Sequence, residues 1–204
     1  METRTIHSKV LIYTLLTVLA VLVVVPFFWM LLASVKTSNE VFSISMKLFP
    51  KEFQWVNYQT IWDKIPLLTF FKNTFKIAVL TTLLQVLTSC FAAYGFSKVE
   101  FRGRDFLFLV SVTTFAMPWQ AYMVPQFALI SRMGLTDSHL GLILMQAFSG
   151  FGVFLIRQFM IGVPNELLEA ARIDGLSEYG IFAKVALPLV KPGIATLVIF
   201  IFVT

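Results

Sequence analysis

Charge is scarce in this chain of 204 residues. Only 13% of them are Asp, Glu, Lys or Arg, against about 25% in a soluble domain. Every Asp and Glu falls in a loop or at the end of an apolar run. The runs therefore carry none of the intramembrane carboxylates on which ion-coupled transporters commonly depend. Cys90 is the single cysteine, which excludes an internal disulfide. His7 and His139 are far apart in sequence and fall on opposite expected sides, which argues against a His-based metal site. There is no Gly-x-x-x-x-Gly-Lys-Ser/Thr loop to cradle phosphates and no His, Cys and carboxylate cluster to support enzyme chemistry.

What is abundant is apolar surface. The chain is 58% hydrophobic with 22 Phe residues, and its mean hydropathy is +0.83. Lipid is the solvent that suits it. The net charge of +5 reads as juxtamembrane Lys and Arg rather than as a nucleic-acid face.

Five apolar runs emerge: 10–33, 73–96, 106–130, 140–160 and 192–204. The first is long enough to cross about 30 Å of hydrocarbon. It exceeds a signal-peptide core and no Ala-x-Ala site follows, so a retained helix is expected. Pro26 is expected to kink it, and Trp29 to mark its far interface. The fifth run ends at Thr204 after about 13 residues, or roughly 20 Å of helix, and reads as incomplete. The expected fold is all-α, a polytopic membrane bundle over residues 1–204 with a sixth span missing. Pro118 and Pro125 interrupt the third run, and Arg157 near the end of the fourth is placed to snorkel toward headgroups.

Between the first two runs lies a mixed loop with Pro50 and Pro66 as breakers. Within it Trp55, Tyr58 and Trp62 share one helical face, which suits a short helix at the membrane interface. A docking surface for a partner protein is compatible with that. Alternating the runs puts the N-terminus, 97–105 and 161–191 on one side, with nine of the 16 Lys and Arg residues. Lys98, Arg102 and Arg104 crowd 97–105, whereas 131–139 holds only Arg132. The positive-inside tendency places the N-terminus in the cytoplasm.

The 161–191 loop is polar and helix-capable. Pro164 or Asn165 can start a helix. Glu166 and Glu169 suit the positive end of its dipole. Gly175 can take the left-handed conformation that ends it. Ser177 can cap a second helix, and Pro188 is expected to end that one. Without further information such a segment is an amphipathic connector, although a narrow rigid helix flanked by Ala170 and Ala171 can enter a cleft on another protein.

The spacing here resembles a known signature. Glu169-Ala170-Ala171 is followed after three residues by Gly175, after nine more by Val185, and after one more by Leu187-Pro188. This is similar to the EAA motif of the membrane subunits of ATP-binding-cassette importers, with Val in place of Ile. Ile173-Asp174-Gly175, Ala93-Tyr94-Gly95-Phe96-Ser97, Phe101-Arg102-Gly103-Arg104 and Met117-Pro118 resemble the carbohydrate branch, as in the second permease of maltose-like or glycerol-phosphate systems. The resemblance implies a prokaryotic cytoplasmic-membrane permease paired with a homologous sister permease, two ATPase subunits and an extracellular binding protein. ATP would be bound by those ATPases, leaving this chain without cofactor or catalysis. Pro164, Glu169, Ala170, Ala171, Arg172, Asp174, Gly175 and Pro188 would form the ATPase-coupling segment. Other importer branches and an ion-coupled transporter fragment stay open as alternatives.

A solute path needs hydrogen-bonding groups within the spans. Gln120, Tyr122 and Gln126 in the third run, and Gln146 and Ser149 in the fourth, are the candidates. Helix–helix hydrogen bonding uses the same residue types and is the competing reading. Gly150 and Gly152 are expected to permit close helix approach.

Overall fold

The structure is a computed structural model that describes residues 6–43 and 47–203. Arg4, Thr204 and the side chain of His7 lie outside the described residues. The described residues are helical, turn or irregular, with no strand among them. The chain divides into two compact units, 1–70 and 71–204.

The first unit holds α1 (Ile6–Ser34), α2 (Ser38–Val41) and α3 (Val56–Lys64). α1 is apolar all round and continues through Pro26. Residues spread around its circumference, such as Leu11, Leu19, Tyr13 and Val21, are all exposed, as befits a helix whose surroundings are lipid or other helices. At its end Lys36 sits 4.3 Å over the Trp29 ring. The Asn57 amide of α3 donates to the carbonyls of Ser34 and Lys36 at 3.0 Å each, and the Ser34 and Tyr58 hydroxyls meet at 2.7 Å. α2 opens with a capping box between Thr37 and Glu40. The Lys51 backbone N–H holds the Glu40 carboxyl below its ordinary range.

The second unit is built on α4 (Leu67–Lys98), of which all but the first turn belongs to it. α4 starts six residues before the expected span. Pro66 lies in the break between α3 and α4 and also opens α4, because a helix start needs no N–H from that position. The third apolar run is divided into α5 (Arg104–Ala116), a 3-10 turn (Trp119–Ala121) and α6 (Met123–Arg132). Met117, ahead of Pro118, is extended (φ −79°, ψ 127°), as a residue before proline prefers. Pro125 lies in the first turn of α6, where its missing donor costs nothing.

The fourth run is also divided, into α7 (His139–Met145) and α8 (Gly150–Ile161), bent by 53°. Ser149 caps α8 by accepting the Gly152 N–H at 3.0 Å. Beyond α9 (Asn165–Ile173) come α10 (Glu178–Ile181), a π-helical stretch (Phe182–Ala186) and α11 (Leu187–Leu189). This run continues through Pro188 and ends one residue later, at Leu189. The widened turn explains it: the Leu187 N–H reaches back to the Phe182 carbonyl, so the regular ladder is already displaced where proline has no donor to give. α12 (Lys191–Val203) then leaves at 79°. Among the described residues two continuous helices can cross a membrane by length and composition, Ser8–Ser34 and Leu67–Lys98, or up to four segments if each bent pair is one span.

The core of the second unit is Cys90, Ala93 and Tyr94 of α4, Ile156 and Met160 of α8, Leu168 and Ala171 of α9, Ile181, Phe182 and Ala186, and Leu197 of α12. Gly152 lets α8 press against α4: a Cβ there would clash with the Ser89 hydroxyl. At Gly150 a Cβ would lie 2.6 Å from the Ser111 carbonyl of α5.

Candidate functional site

Two polar regions stand out in the second unit, the 161–191 loop and the break between α7 and α8.

In the loop, α9 is strongly two-faced. Leu168 and Ala171 are buried in the core, while Glu169, Ala170, Arg172 and Asp174 are exposed. The two adjacent alanines point different ways: Ala170 presents a narrow outer flank, and Ala171 is a packing residue. Pro164 precedes the first turn with extended backbone (φ −60°, ψ 134°). Gly175 ends α9 with φ +85°. Its N–H bonds the Arg172 carbonyl, and the Leu176 N–H bonds the Ala171 carbonyl, both at 3.1 Å. This is the paired closure of a Schellman motif, and Leu176 packs onto the core beside it. Ser177 then caps α10 through the Gly180 N–H at 3.3 Å.

Charged groups tie this tip to the bundle. Glu178 accepts from Arg172 Nε at 2.8 Å and from the Tyr94 hydroxyl of α4 at 3.2 Å. Lys98, the last residue of α4, donates to the Val163 carbonyl at 2.6 Å and to Asn165 Oδ1 at 2.8 Å. Arg157 does not snorkel. Its Nε donates to the Phe96 carbonyl at 3.2 Å, its guanidinium lies 4.0 Å over the Phe108 ring, and Asp105 is 3.9 Å away. The cation is thus turned inward and held among α4, α5 and α8. Ile173 and Tyr179 are left 87% and 79% exposed at the tip, well beyond what a self-contained turn requires.

The break has a different character. An opening of about 500 Å³ is lined by Tyr122, Gln126, Gln146 and Ser149, together with Gln85, Phe115, Trp119 and Phe151. It brings together four of the five polar residues read from the sequence. Gln120, on the same 3-10 turn as Trp119, lines neither this opening nor its neighbour. The backbone carbonyls freed by the break are met by side chains: Gln126 Nε2 donates to Met145 at 2.6 Å, and Thr88 Oγ1 to Ala147 at 2.9 Å. Half of Gln126 is thus structural, while its buried Oε1 has no partner.

A second opening of about 730 Å³ shares Gln85, Phe115, Gln146, Ser149 and Phe151 with the first. It adds Thr74, Thr81 and Thr82 of α4 and the end of α12. The sequence reading passed over this α4 face. Its signal was visible: Thr74, Thr81, Thr82, Gln85, Thr88 and Ser89 recur at steps of three, four and seven residues in a largely apolar run.

Long apolar helices together with a polar, exposed loop define an integral-membrane component of an all-helical class. Residues 85–204 match the family described as "Binding-protein-dependent transport system inner membrane component", and the chain belongs to that family. It is similar to the arabinooligosaccharides transport system permease protein AraQ of Bacillus subtilis, 33% identical over 184 residues that cover 89% of this chain and 66% of that protein. It also resembles the sn-glycerol-3-phosphate transport system permease protein UgpE of Pectobacterium atrosepticum, 32% identical over 187 residues, with 89% and 66% covered. This chain therefore spans just under two thirds of the length of these relatives. The same fold occurs in a crystal structure of a bacterial ABC transporter involved in the import of the acidic polysaccharide alginate. There the TM-score is 0.85 at 23% identity, covering 100% of this chain and 73% of that one.

Proposed function

We propose that this chain is a permease subunit of an ATP-driven importer that carries a carbohydrate across the prokaryotic cytoplasmic membrane. It pairs with a homologous permease, receives solute from an extracellular binding protein, and is driven by two ATPase subunits that hold the ATP. The observation that carries the reading is the tip of the 161–191 loop. A short helix with an exposed Glu169 and Ala170 flank ends in a locked turn at Gly175, and its inner face is packed into the bundle.

Such a part transmits displacement. Pressure on 164–175 from a closing ATPase reaches α4 through Lys98 and the Glu178–Tyr94 bond. Burial of Leu168 and Ala171 carries it to α8 and α12. The response is a tilting of packed helices between inward- and outward-open arrangements. Glu169 is the candidate for a charge-assisted contact with an Arg or Lys of the ATPase, Asp174 and Arg172 flank it, and Pro188 sits where the second helical run turns back toward the membrane. On this reading the N-terminus is cytoplasmic, and Tyr122, Gln126, Gln146 and Ser149 border the solute path.

The test is uptake into cells or vesicles carrying the assembled transporter. Depleting ATP with ion gradients intact abolishes uptake; collapsing the gradients with ATP present leaves it. The opposite pattern would replace this reading with ion coupling.

A further inference from the structure

Resting on the permease reading, we propose that the face of α4 formed by Thr81, Thr82 and Gln85 is a solute subsite for an uncharged, hydroxyl-rich molecule. It sits opposite Gln146 and Ser149 of the α7–α8 break.

Three observations carry this. The first is unmet hydrogen-bonding capacity. Helical Ser and Thr side chains in hydrocarbon ordinarily bond a carbonyl one turn back, and Thr17, Thr88, Ser97, Ser111 and Thr113 do so here. The hydroxyls of Thr81 and Thr82 are buried and make no such bond. Thr82 is only 6% exposed and Gln85 only 9%, yet both line the opening of about 730 Å³. A ligand hydroxyl is a partner these groups lack, and pairing with it would recover the cost of their desolvation.

The second is the kind of surface around them. Phe115, Phe151 and Phe200 line the same opening. Their rings are in contact, with centroids 5.5 Å apart for Phe115 and Phe151 and 4.7 Å for Phe151 and Phe200. Polar amides and hydroxyls beside aromatic faces suit the mixed C–H and O–H surface of a sugar ring.

The third is the charge that is missing from the walls. Among the described residues no Asp, Glu, Lys, Arg or His lines either opening. A carboxylate or phosphate carried into an apolar site requires a paired cation or several charge-assisted donors. This wall supplies neutral donors and acceptors alone. It therefore favours a neutral saccharide over a uronic-acid chain or a sugar phosphate, although both acidic and neutral cargoes occur in the names of related transporters.

The experiment uses the whole transporter, with its partner permease, ATPases and binding protein, in cells. It follows uptake of labelled neutral oligosaccharides (arabinose, galactose and glucose series), a galacturonate oligosaccharide and sn-glycerol 3-phosphate. The expected result is ATP-driven uptake confined to the neutral group. Thr82→Val and Gln85→Leu should each lower the neutral-sugar rate by about 3- to 10-fold, the loss of one hydrogen bond. Thr82→Ser should restore it. Import of the acidic solutes in preference to the neutral ones would overturn the proposal. So would wild-type rates in Thr82→Val and Gln85→Leu, or failure of Thr82→Ser to recover. Absence of ATP-driven uptake for every solute would instead remove the permease reading on which the proposal rests.

Discussion

The tip of the 161–191 loop and the α7–α8 break are both polar interruptions of an apolar protein, and they treat their polar groups in opposite ways. At the tip the polar groups that face the bundle are matched from within the chain: Arg172 and Tyr94 converge on Glu178, and Lys98 on Val163 and Asn165, while Glu169 and Asp174 stay exposed. Facing the break, hydroxyls of α4 and the Gln126 amide oxygen of α6 are buried without partners. A network closed on itself is stiff, and suits a part that passes on force. Unclosed groups in a cavity cost stability, about 1–3 kcal/mol for each one left unpaired, and are worth keeping where something else completes them.

The largest way to break the contrast is Gly175→Pro. Proline requires φ near −65° where the chain has +85°, and it removes the N–H that bonds Arg172, a loss of about 3 kcal/mol or more. Uptake should vanish while the protein still fractionates with the membrane; normal transport would show that the locked turn is dispensable. Next is Leu168→Ala, which opens a cavity beneath α9 and should cost about 2–5 kcal/mol. It should appear as earlier heat-induced loss of protease resistance in the loop, with uptake falling in step.

Ala170→Trp sharpens the comparison from the other side. Ala170 is exposed, so thermal stability should stay within about 0.5 kcal/mol. Uptake should nevertheless drop, since a bulky flank no longer fits a cleft. Glu178→Gln should have the smallest effect. Its ion pair with Arg172 leaves both side chains more than half exposed, so about 0–1 kcal/mol is at stake. A modest rise in hydrogen exchange at the tip is the expected reading.

Much of this was legible in the residues. Trp55, Tyr58 and Trp62 announced α3, Ser177 its capped helix, and Gly175 its left-handed turn, because each acts through local backbone chemistry. Pro118 likewise marked the interruption after α5. What escaped was decided by tertiary contact. The break at 146–149 is held open by Thr88 and Gln126 from other helices, although Ser149 ahead of Gly150 was a cap signal in plain view. Arg157 sits near a helix end, as a snorkelling residue would. Only the fold reveals that Phe96, Phe108 and Asp105 reach it first. Ala170 and Ala171 read alike in sequence, and rotation about α9 separates them. Pro188 passes within a helix because a π-turn, invisible to propensity, had already displaced the ladder.

The central claim is that an external ATPase grips the exposed flank of α9. The most direct measurement is photocrosslinking from a benzophenone maleimide attached to a cysteine at Glu169 or Ala170, in native membrane vesicles with and without ATP. The account predicts a crosslinked product containing an ATP-binding-cassette subunit, with a yield that changes on adding nucleotide. Efficient labelling of those cysteines by a small thiol reagent, with no ATPase adduct in either condition, would contradict it.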